Sequence, residues 1–464
     1  KEYCTELFGR EDRPRVEIEV EEIEPEVMES EIEAAIKKLK KEKATGTDDI
    51  PAEALKAGGE TVVKALKGII DEVWRSGVWP EDWVISELVP LPKVPGTQEC
   101  SKYRTVSLIS HASKVLLEII RTRLQYYLNP VIAEEQFGFT AGKGTADAIL
   151  TVRNIIQKVA KKQDEDEVWF LFIDYTKAFD TVYHDALWDT LTEFGVPTHL
   201  TWLMKGLYDA AKGVVRVGED RTEEFNFEKG VRQGCLVSPL LFNTVGERIM
   251  REVEEKFGEE RPGKIIGGRT VWNIRYADDT TLLAESREQC MKMGEELGNI
   301  SEKVGLKINK KKTAAMAVHG VGDIELEGEK IEKLDKFKFL GSYITPEGES
   351  QTDIRSRIGM AKAAANNMAA VWQSSDITLA LKVKLAKTLI WSIALYACET
   401  WTLKKQEERM IEAMEMWLWR RVLRVKWTER KTNEWVRQKV QVRAEQGMLA
   451  EVKRRKTRKY GHWK

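Results

Sequence analysis

The chain has 464 residues, 42% of them hydrophobic, enough to bury a large core divided among several subdomains. Its five scattered cysteines (Cys4, Cys100, Cys235, Cys290, Cys398) form no CxxC or Cys/His cluster, which argues against zinc and for a reducing compartment; its longest apolar stretch (389–398) is far short of a membrane span, no signal peptide is visible at its start, and an intracellular setting is expected. The net charge of −1 hides an asymmetry: residues 1–60 carry 10 Lys/Arg against 18 Asp/Glu and residues 401–464 carry 19 against 8, which points to a nucleic-acid partner at the C-terminal end.

In chain order, Glu24-Pro25 opens a predicted helix whose Met28, Ile32, Ala35, Ile36 and Leu39 recur at helical spacing, and Gly46 closes it. A second helix carries Val62, Val63, Leu66, Ile69, Ile70 and Val73 and ends near Gly77. Pro80, Pro90, Pro92 and Pro95 then mark extended or looped chain. Helices are predicted over 113–128, 146–159, 185–194, 238–257 and 288–304, and a pair of strands over 213–227. Strand-like pieces follow at 313–318, 323–327 and 337–344, and beyond Pro346 the chain reads as mostly helical. The chain starts at Lys1 and stops just after Gly461-His462-Trp463, so it is expected to be a piece of a longer polypeptide.

Tyr276-Ala277-Asp278-Asp279 lies between two short strand-like runs, 271–275 and 280–284, and reads as a hairpin with carboxylates at its tip. Crowded acids repel one another or take up protons unless a cation intervenes. Upstream, the unbroken apolar run 168–173 reads as a strand buried on both faces, with Asp174 at its end. A central strand ending in one acid, beside a hairpin tipped with two more, is an arrangement able to hold two Mg²⁺ ions about 3.5–4 Å apart, the clamp used for phosphoryl transfer.

The motif set resembles the reverse transcriptases of non-LTR (LINE-type) retrotransposons. FLFIDYTKAFDTV (170–182), GVRQGCLVSPLLFN (230–243) and RYADDTTLLA (275–284) are similar to three successive catalytic-core motifs of that family. GLKINKKKT (305–313) and FKFLGSYIT (337–345) follow in the family's order, and LVPLPK (88–93), YRTVSLIS (103–110) and EEQFGFTAGKGTADAI (134–149) resemble its finger motifs. Departures occur at Thr105, where relatives usually carry proline, at Thr140, where they usually carry arginine, and at Thr45-Gly46-Thr47-Asp48, which replaces a proline-bearing turn.

The resemblance implies an α+β right-hand polymerase. Expected are an acidic helical extension (1–80), fingers (81–165), an antiparallel-sheet palm backed by helices (166–345, with a finger insertion near 200–228), a helical thumb (346–430) and a basic C-terminal segment (431–464). It implies RNA-templated addition of dNTPs to a DNA primer 3′-OH, with two Mg²⁺ ions, or Mn²⁺ in their place, on Asp174, Asp278 and the more peripheral Asp279. Lys312, in a run of three lysines, is the expected proton donor to pyrophosphate. Lys93, Arg104, Tyr175, Gln233 and Gly234 are expected around the nucleotide, and Phe179 under its sugar, where a ring excludes a 2′-OH. Asp180 is expected to fix local structure. Tyr276 and the hairpin residues Phe339, Leu340 and Gly341 are expected at the primer. The run Lys453, Arg454, Arg455, Lys456 is expected on nucleic acid, and Trp417, Trp419, Trp427, Trp435 and Trp463, interleaved with Arg420, Arg421, Arg424 and Arg430, suit stacking and phosphate binding, with the core of an amphipathic thumb helix as the alternative for Trp417 and Trp419. With no endonuclease motif, the chain is not expected to cut its own target. Work in the nucleus during target-primed synthesis, and in the cytoplasm otherwise, also follows. Two alternatives are a retired polymerase serving as an RNA-binding scaffold and an intron-encoded reverse transcriptase that assists splicing.

Overall fold

The structure is a computed structural model and describes residues 1–9, 16–161, 167–260, 262–266, 268–442 and 444–461. Its central strand, Val168–Ile173, has every residue buried. Successive side chains of a strand point to opposite faces. Val168, Phe170 and Phe172 enter one core with Ile149, Val152 and Ile156 of helix Thr145–Val159. Trp169, Leu171 and Ile173 enter another with residues of helices Ser238–Phe257 and Arg287–Lys303, among them Leu241, Val245, Met293 and Leu297. Burial on both faces is why the run lacks the alternation of a half-exposed strand.

That strand is fourth in a six-stranded sheet ordered Ile324–Leu326, Glu329–Lys333, Ala314–Val318, Val168–Ile173, Asp279–Ala284, Asn273–Tyr276. Both of its neighbours are antiparallel to it. Residues 135–137 add a further edge to the hairpin, since the Phe137 N–H donates to Arg275 O (2.8 Å) and the Arg275 N–H to Glu135 O (2.9 Å).

A second sheet joins segments more than a hundred residues apart. Ile85–Pro92 pairs antiparallel with Tyr103–Leu108 and parallel with Lys212–Val217. Pro90 and Pro92 thus lie in paired strand, the extended part of the extended or looped chain expected here, while Pro80 and Pro95 lie outside it. Its parallel pairing ends at Leu88↔Val215, so Pro90 and Pro92 have a neighbour on one side only, where a missing N–H is tolerated. Helix Thr198–Asp209, which sequence periodicity did not mark, precedes the returning strand. The first predicted helix begins later than Glu24-Pro25, at Glu29–Lys38. Arg123 takes the carbonyls of Pro25 and Glu26, and Trp74 Nε1 takes that of Glu24, which holds 24–28 extended. The Thr45–Asp48 turn braces another helix: Asp48 accepts from Ser110 Oγ, whose oxygen caps His111–Leu128.

Beyond hairpin Phe337–Phe339/Ser342–Ile344 lies a helical lobe of Gln351–Asn367, Leu379–Leu385 running through a π-turn into Trp391–Ala394, and Lys405–Leu423. Trp372, Trp391, Trp401 and Trp419 form its core. Val436, Val440, Met448 and Val452 belong to the same core, so the described part of 431–461 is built into the lobe and is not a separate segment; Trp463 lies outside the described residues. Trp419 is fully buried with Nε1 on Glu415, which makes it a core residue. Among the described residues no helix is long and apolar enough to cross a membrane.

A buried cluster ties the lobe and the hairpin before it to helix Thr145–Val159. Arg153 donates to Ser350 Oγ (2.8 Å), Ser342 Oγ (3.0 Å) and Tyr343 O (2.9 Å) and pairs with Asp353 at 3.3 Å. Asp353, itself fully buried, also accepts from Ser342, the Tyr343 N–H and Trp401 Nε1.

Candidate active site

The acidic turn is built by its neighbours. Asp279 pairs with Tyr276, leaving Ala277 and Asp278 as the two turn residues, and Ala277 takes a left-handed φ of +58° that an alanine adopts only under constraint. The constraint comes from the EEQFG stretch. Gln136 Oε1 accepts from the Ala277 N–H (3.1 Å) and the Gly138 N–H (2.8 Å), and a Cβ on Gly138 would stand 2.2 Å from Ala277 N. Only glycine permits that approach. Below the turn, Arg275 forms a buried ion pair with Glu247 at 2.7 Å.

The last registered pair between hairpin and central strand is Thr280↔Ile173, so Asp279 and Asp174 are the next residues of the two strands at the same sheet edge. Asp174 is wrapped by the 309–313 turn: its carbonyl accepts from the Asn309 N–H (2.7 Å) and its N–H donates to Thr313 Oγ1 (3.3 Å). The same turn separates the three lysines. Lys310 pairs with Glu327 and Glu329, while Lys312 points back with Nζ 3.7 Å from Asp174 Oδ2.

Asp174 and Asp278 open into one cavity of about 770 Å³, whose wall also carries Lys93, Arg104, Tyr175, Phe179, Asp180, Gln233 and Lys312. Arg104 sits in the second sheet, paired with Leu91, and Lys93 directly follows the strand Ile85–Pro92. Phe179 stacks on Phe242 (centroids 4.3 Å apart) and meets Phe139 edge-on, so its ring is held in place. Tyr175 contributes to the wall, but its hydroxyl is turned into the core, 3.0 Å from Ser301 Oγ, and burial pushes its pKa up to about 12. Gln233 Nε2 donates to Asp180, whose own carboxyl is raised by burial against the pull of Gln233, Lys177, Lys93 and Arg104. Asp180 thus sets the position of the Gln233 side chain.

The electrostatics of the acids are unbalanced. Burial raises the Asp278 carboxyl, a hydrogen bond from its own backbone N–H opposes this, the Asp174 charge raises it further, and Arg104 lowers it slightly, the net direction being up. Asp279 is pushed up to about 6, first by burial and then by Asp278 and Asp174. Asp174 Oδ2 is buried without a hydrogen-bond partner. Lys312 Nζ, at 3.7 Å, is beyond hydrogen-bond reach of that oxygen, so Asp174 Oδ2 keeps room for a further positive ligand beside two carboxyls that are already raised. Among the described residues no three acid, His or Cys side chains form a ready metal cage. Two carboxylates completed by water and substrate phosphate nevertheless suit Mg²⁺, which keeps several waters and takes few protein ligands.

Several expected residues are placed elsewhere. Asp279, Tyr276 and Gly234 do not line the cavity. Gly234 lets its loop reach strand Tyr103–Leu108, since a Cβ there would stand 2.7 Å from Ser107 O. Phe339 is buried and packs near Phe172 (centroids 6.0 Å), so its ring cannot meet a primer. Leu340 and Gly341, both at positive φ, form the hairpin turn, with their carbonyls taken by Tyr396 and Arg357. The residues of the C-terminal basic run have partners within the chain: Lys453 pairs with Glu408, Arg454 and Arg455 share Glu451, and Lys456 donates to Trp401 O. Conversely, sequence reasoning gave no role to Lys1, Tyr3, Cys4 and Leu7, which line the cavity beside Lys177. Their helix Glu2–Phe8 is held by Phe8 against Phe227, at 4.6 Å, a contact that no local pattern announces.

Residues 91–344 match the family described as "Reverse transcriptase (RNA-dependent DNA polymerase)". Among curated proteins, the chain is 24% identical over 365 residues to the Pol polyprotein of the type-2 retrotransposable element R2DM of Drosophila melanogaster, covering 75% of this chain and 33% of that one. It is 27% identical over 328 residues to a probable RNA-directed DNA polymerase from transposon BS of the same species (67% and 35%), and 24% identical over 329 residues to the RNA-directed DNA polymerase from mobile element jockey of Drosophila funebris (67% and 34%). The chain spans about a third of the length of these relatives. Among solved structures, telomerase from Candida albicans is 11% identical with a TM-score of 0.47, covering 83% of this chain and 69% of that one. With the family match covering more than half of its length and its motifs lying in the family's order, the chain belongs to the reverse transcriptases, is similar to those of retrotransposable elements, and carries their α+β right-hand polymerase fold.

Proposed function

We propose that this chain is the polymerase portion of a non-LTR retrotransposon protein and that it copies RNA into DNA. The six-stranded sheet and its helices act as palm, the sheet containing Lys93 and Arg104 as fingers, and the helical lobe as thumb. The observation that carries the reading is the single cavity with Asp174 and Asp278 on one wall and Lys93, Arg104 and Lys312 on others. Acids and cations facing one space match the two ends of a nucleotide addition.

Asp174 and Asp278, with Asp279 behind them, would hold divalent ions, Mg²⁺ being the expected pair; when bound these supply charge neutralisation at the attacking and leaving oxygens. Arg104 offers a planar fork to the triphosphate, and Lys93 adds a point charge. Lys312, with Nζ 3.7 Å from Asp174 Oδ2, is positioned to give a proton to departing pyrophosphate. Phe179, immobilised by Phe242, presents a fixed edge under the sugar, and Gln233, held by Asp180, meets the base pair being formed. Template RNA, DNA primer and dNTPs are the substrates, and target-primed synthesis would place the protein in the nucleus.

The direct test is extension of a DNA primer annealed to RNA, with dNTPs and Mg²⁺. Product growth on RNA is expected, and its absence at every divalent-ion concentration would contradict the reading. Phe179→Ala is expected to raise ribonucleotide use by about tenfold or more, the scale on which a steric pocket discriminates.

A further inference from the structure

Helix Lys405–Leu423 ends on Arg424, whose φ of +57° turns the chain back along the helix's last turn, with the Val425 N–H on Arg420 O at 2.9 Å. Between this reversal and helix Ala369–Gln373 lies a groove of about 930 Å³ that shares no residue with the catalytic cavity. Six of its lining residues, Arg420, Arg421, Arg424, Lys426, Arg430 and Lys431, are cations and none is acidic. Among the described residues none of the six forms an ion pair, in contrast to Lys453, Arg454 and Arg455 further on.

Two of the guanidiniums are anchored. Arg420 Nη2 donates to Lys431 O (3.1 Å) and Asn433 Oδ1 (2.8 Å), and Arg424 Nε donates to Trp372 O (3.3 Å). Trp417 lines the groove half-buried, with Arg421 and Lys362 over its ring at 5.3 and 5.5 Å. A helix C-terminus carries roughly half a negative charge, which accounts for one of these cations and leaves the others unbalanced. An aromatic face set among unpaired cations is a stacking platform inside a phosphate-binding track, the pattern that suits single-stranded nucleic acid.

We infer that the groove is a second nucleic-acid site, which binds single-stranded RNA outside the catalytic cavity. The choice of RNA rests on the proposed function, since an RNA template is single-stranded wherever it is not yet copied. Six clustered cations hold its backbone, and Trp417 takes a base.

The test uses the whole chain with Arg421→Ala, Lys426→Ala and Lys431→Ala combined, all three being exposed side chains. Binding of an unprimed single-stranded RNA oligonucleotide is followed by fluorescence anisotropy across salt concentrations. Loss of three phosphate contacts is expected to flatten the slope of log affinity against log salt by about 2 and to weaken binding at least about tenfold. Extension of a short primed RNA template is expected to stay within about twofold of wild type, since the catalytic cavity is intact. A variant with the wild-type salt slope would overturn the site. So would a fall in short-template extension parallel to the fall in binding, or retained RNA binding with loss of duplex DNA alone. If the wild-type chain extends no primer at all, the catalytic reading fails while the comparison of slopes still decides whether the groove binds RNA.

Discussion

The palm edge and the joint between palm and thumb both gather charged side chains around an aspartate, and they balance them differently. At the joint, Asp353 and Arg153 are buried together, and serines, a tryptophan N–H and backbone groups take up most of their remaining hydrogen-bonding capacity. At the palm edge, Asp174 keeps a buried oxygen without a donor, and Asp278 and Asp279 are raised by burial and by their neighbours' charges. Burying an ion pair is tolerable when the geometry satisfies it internally. Leaving carboxylates uncompensated is tolerable only where a ligand completes them. The joint is structural for the first reason and the palm edge is a site for the second. The thumb groove repeats the second case with the opposite sign.

The comparison breaks most sharply at Asp278. Asp278→Asn keeps the size of the side chain and removes its charge. It is expected to lower the primer-extension rate by about a thousandfold or more, the scale on which loss of a main electrostatic stabiliser acts, with little change in unfolding by urea. A variant that extends primers at the wild-type rate would remove the palm edge from the chemistry. Asp353→Ala should do the reverse. Leaving Arg153 buried and unpaired is expected to destabilise the fold by about 3–5 kcal/mol, read from the urea midpoint, whereas Arg153→Met with Asp353→Leu should recover much of that loss. If the single and double variants lose stability equally, the pair is not acting as a buried ion pair.

Smaller effects sharpen the contrast. Arg104→Ala removes a charge-assisted contact and is expected to raise the KM for dNTP by about tenfold or more, with stability unchanged. An unchanged KM would place the triphosphate elsewhere. The smallest effect concerns pH. Asp279 binds its proton more tightly in the folded chain, with a pKa of about 6 against the ordinary 3.8. The folded state therefore gains relative stability at low pH and loses it as pH rises from about 4 to about 6. Asp279→Asn is expected to flatten that part of the Tm profile, and an identical profile in the variant would remove the residue from the linkage.

Much of the palm was legible in the sequence, because its signals are local. VWFLFI could only be a strand buried on both faces, and YADD between two strand-like runs could only be a tip. The limits of helix Ser238–Phe257 follow from Ser-Pro at its start and Gly258 after its end. What was not legible depended on distant partners. The prolines at 90 and 92 hid a strand whose permissive edge is created by a segment more than a hundred residues away. Lys312 was singled out among three consecutive lysines by family resemblance, but the physical reason lay in the fold: the turn that wraps Asp174 aims Lys312 at it, with Glu327 and Glu329 occupying Lys310. The basic run 453–456 looked free in one dimension and is paired in three. Helix Glu2–Phe8 is brought to the cavity by distant partners, Phe225 and Phe227 receiving Phe8, Lys177 meeting Tyr3 and Glu223 pairing with Lys1.

The central claim is that the carboxylates of the palm edge are incomplete without divalent cations. It is tested most directly by titrating Mg²⁺ into the chain without nucleotide and following Tm, for wild type and for Asp174→Asn combined with Asp278→Asn. A ligand that binds only the folded state stabilises it by RT ln(1 + c/Kd) at free-ligand concentration c, so Tm keeps rising with ligand concentration. The wild-type Tm is expected to climb with Mg²⁺ and that of the double variant to stay flat and to start higher, because the repulsion is gone. Equal gains in the two proteins would mean that the ions bind elsewhere, and would contradict this account.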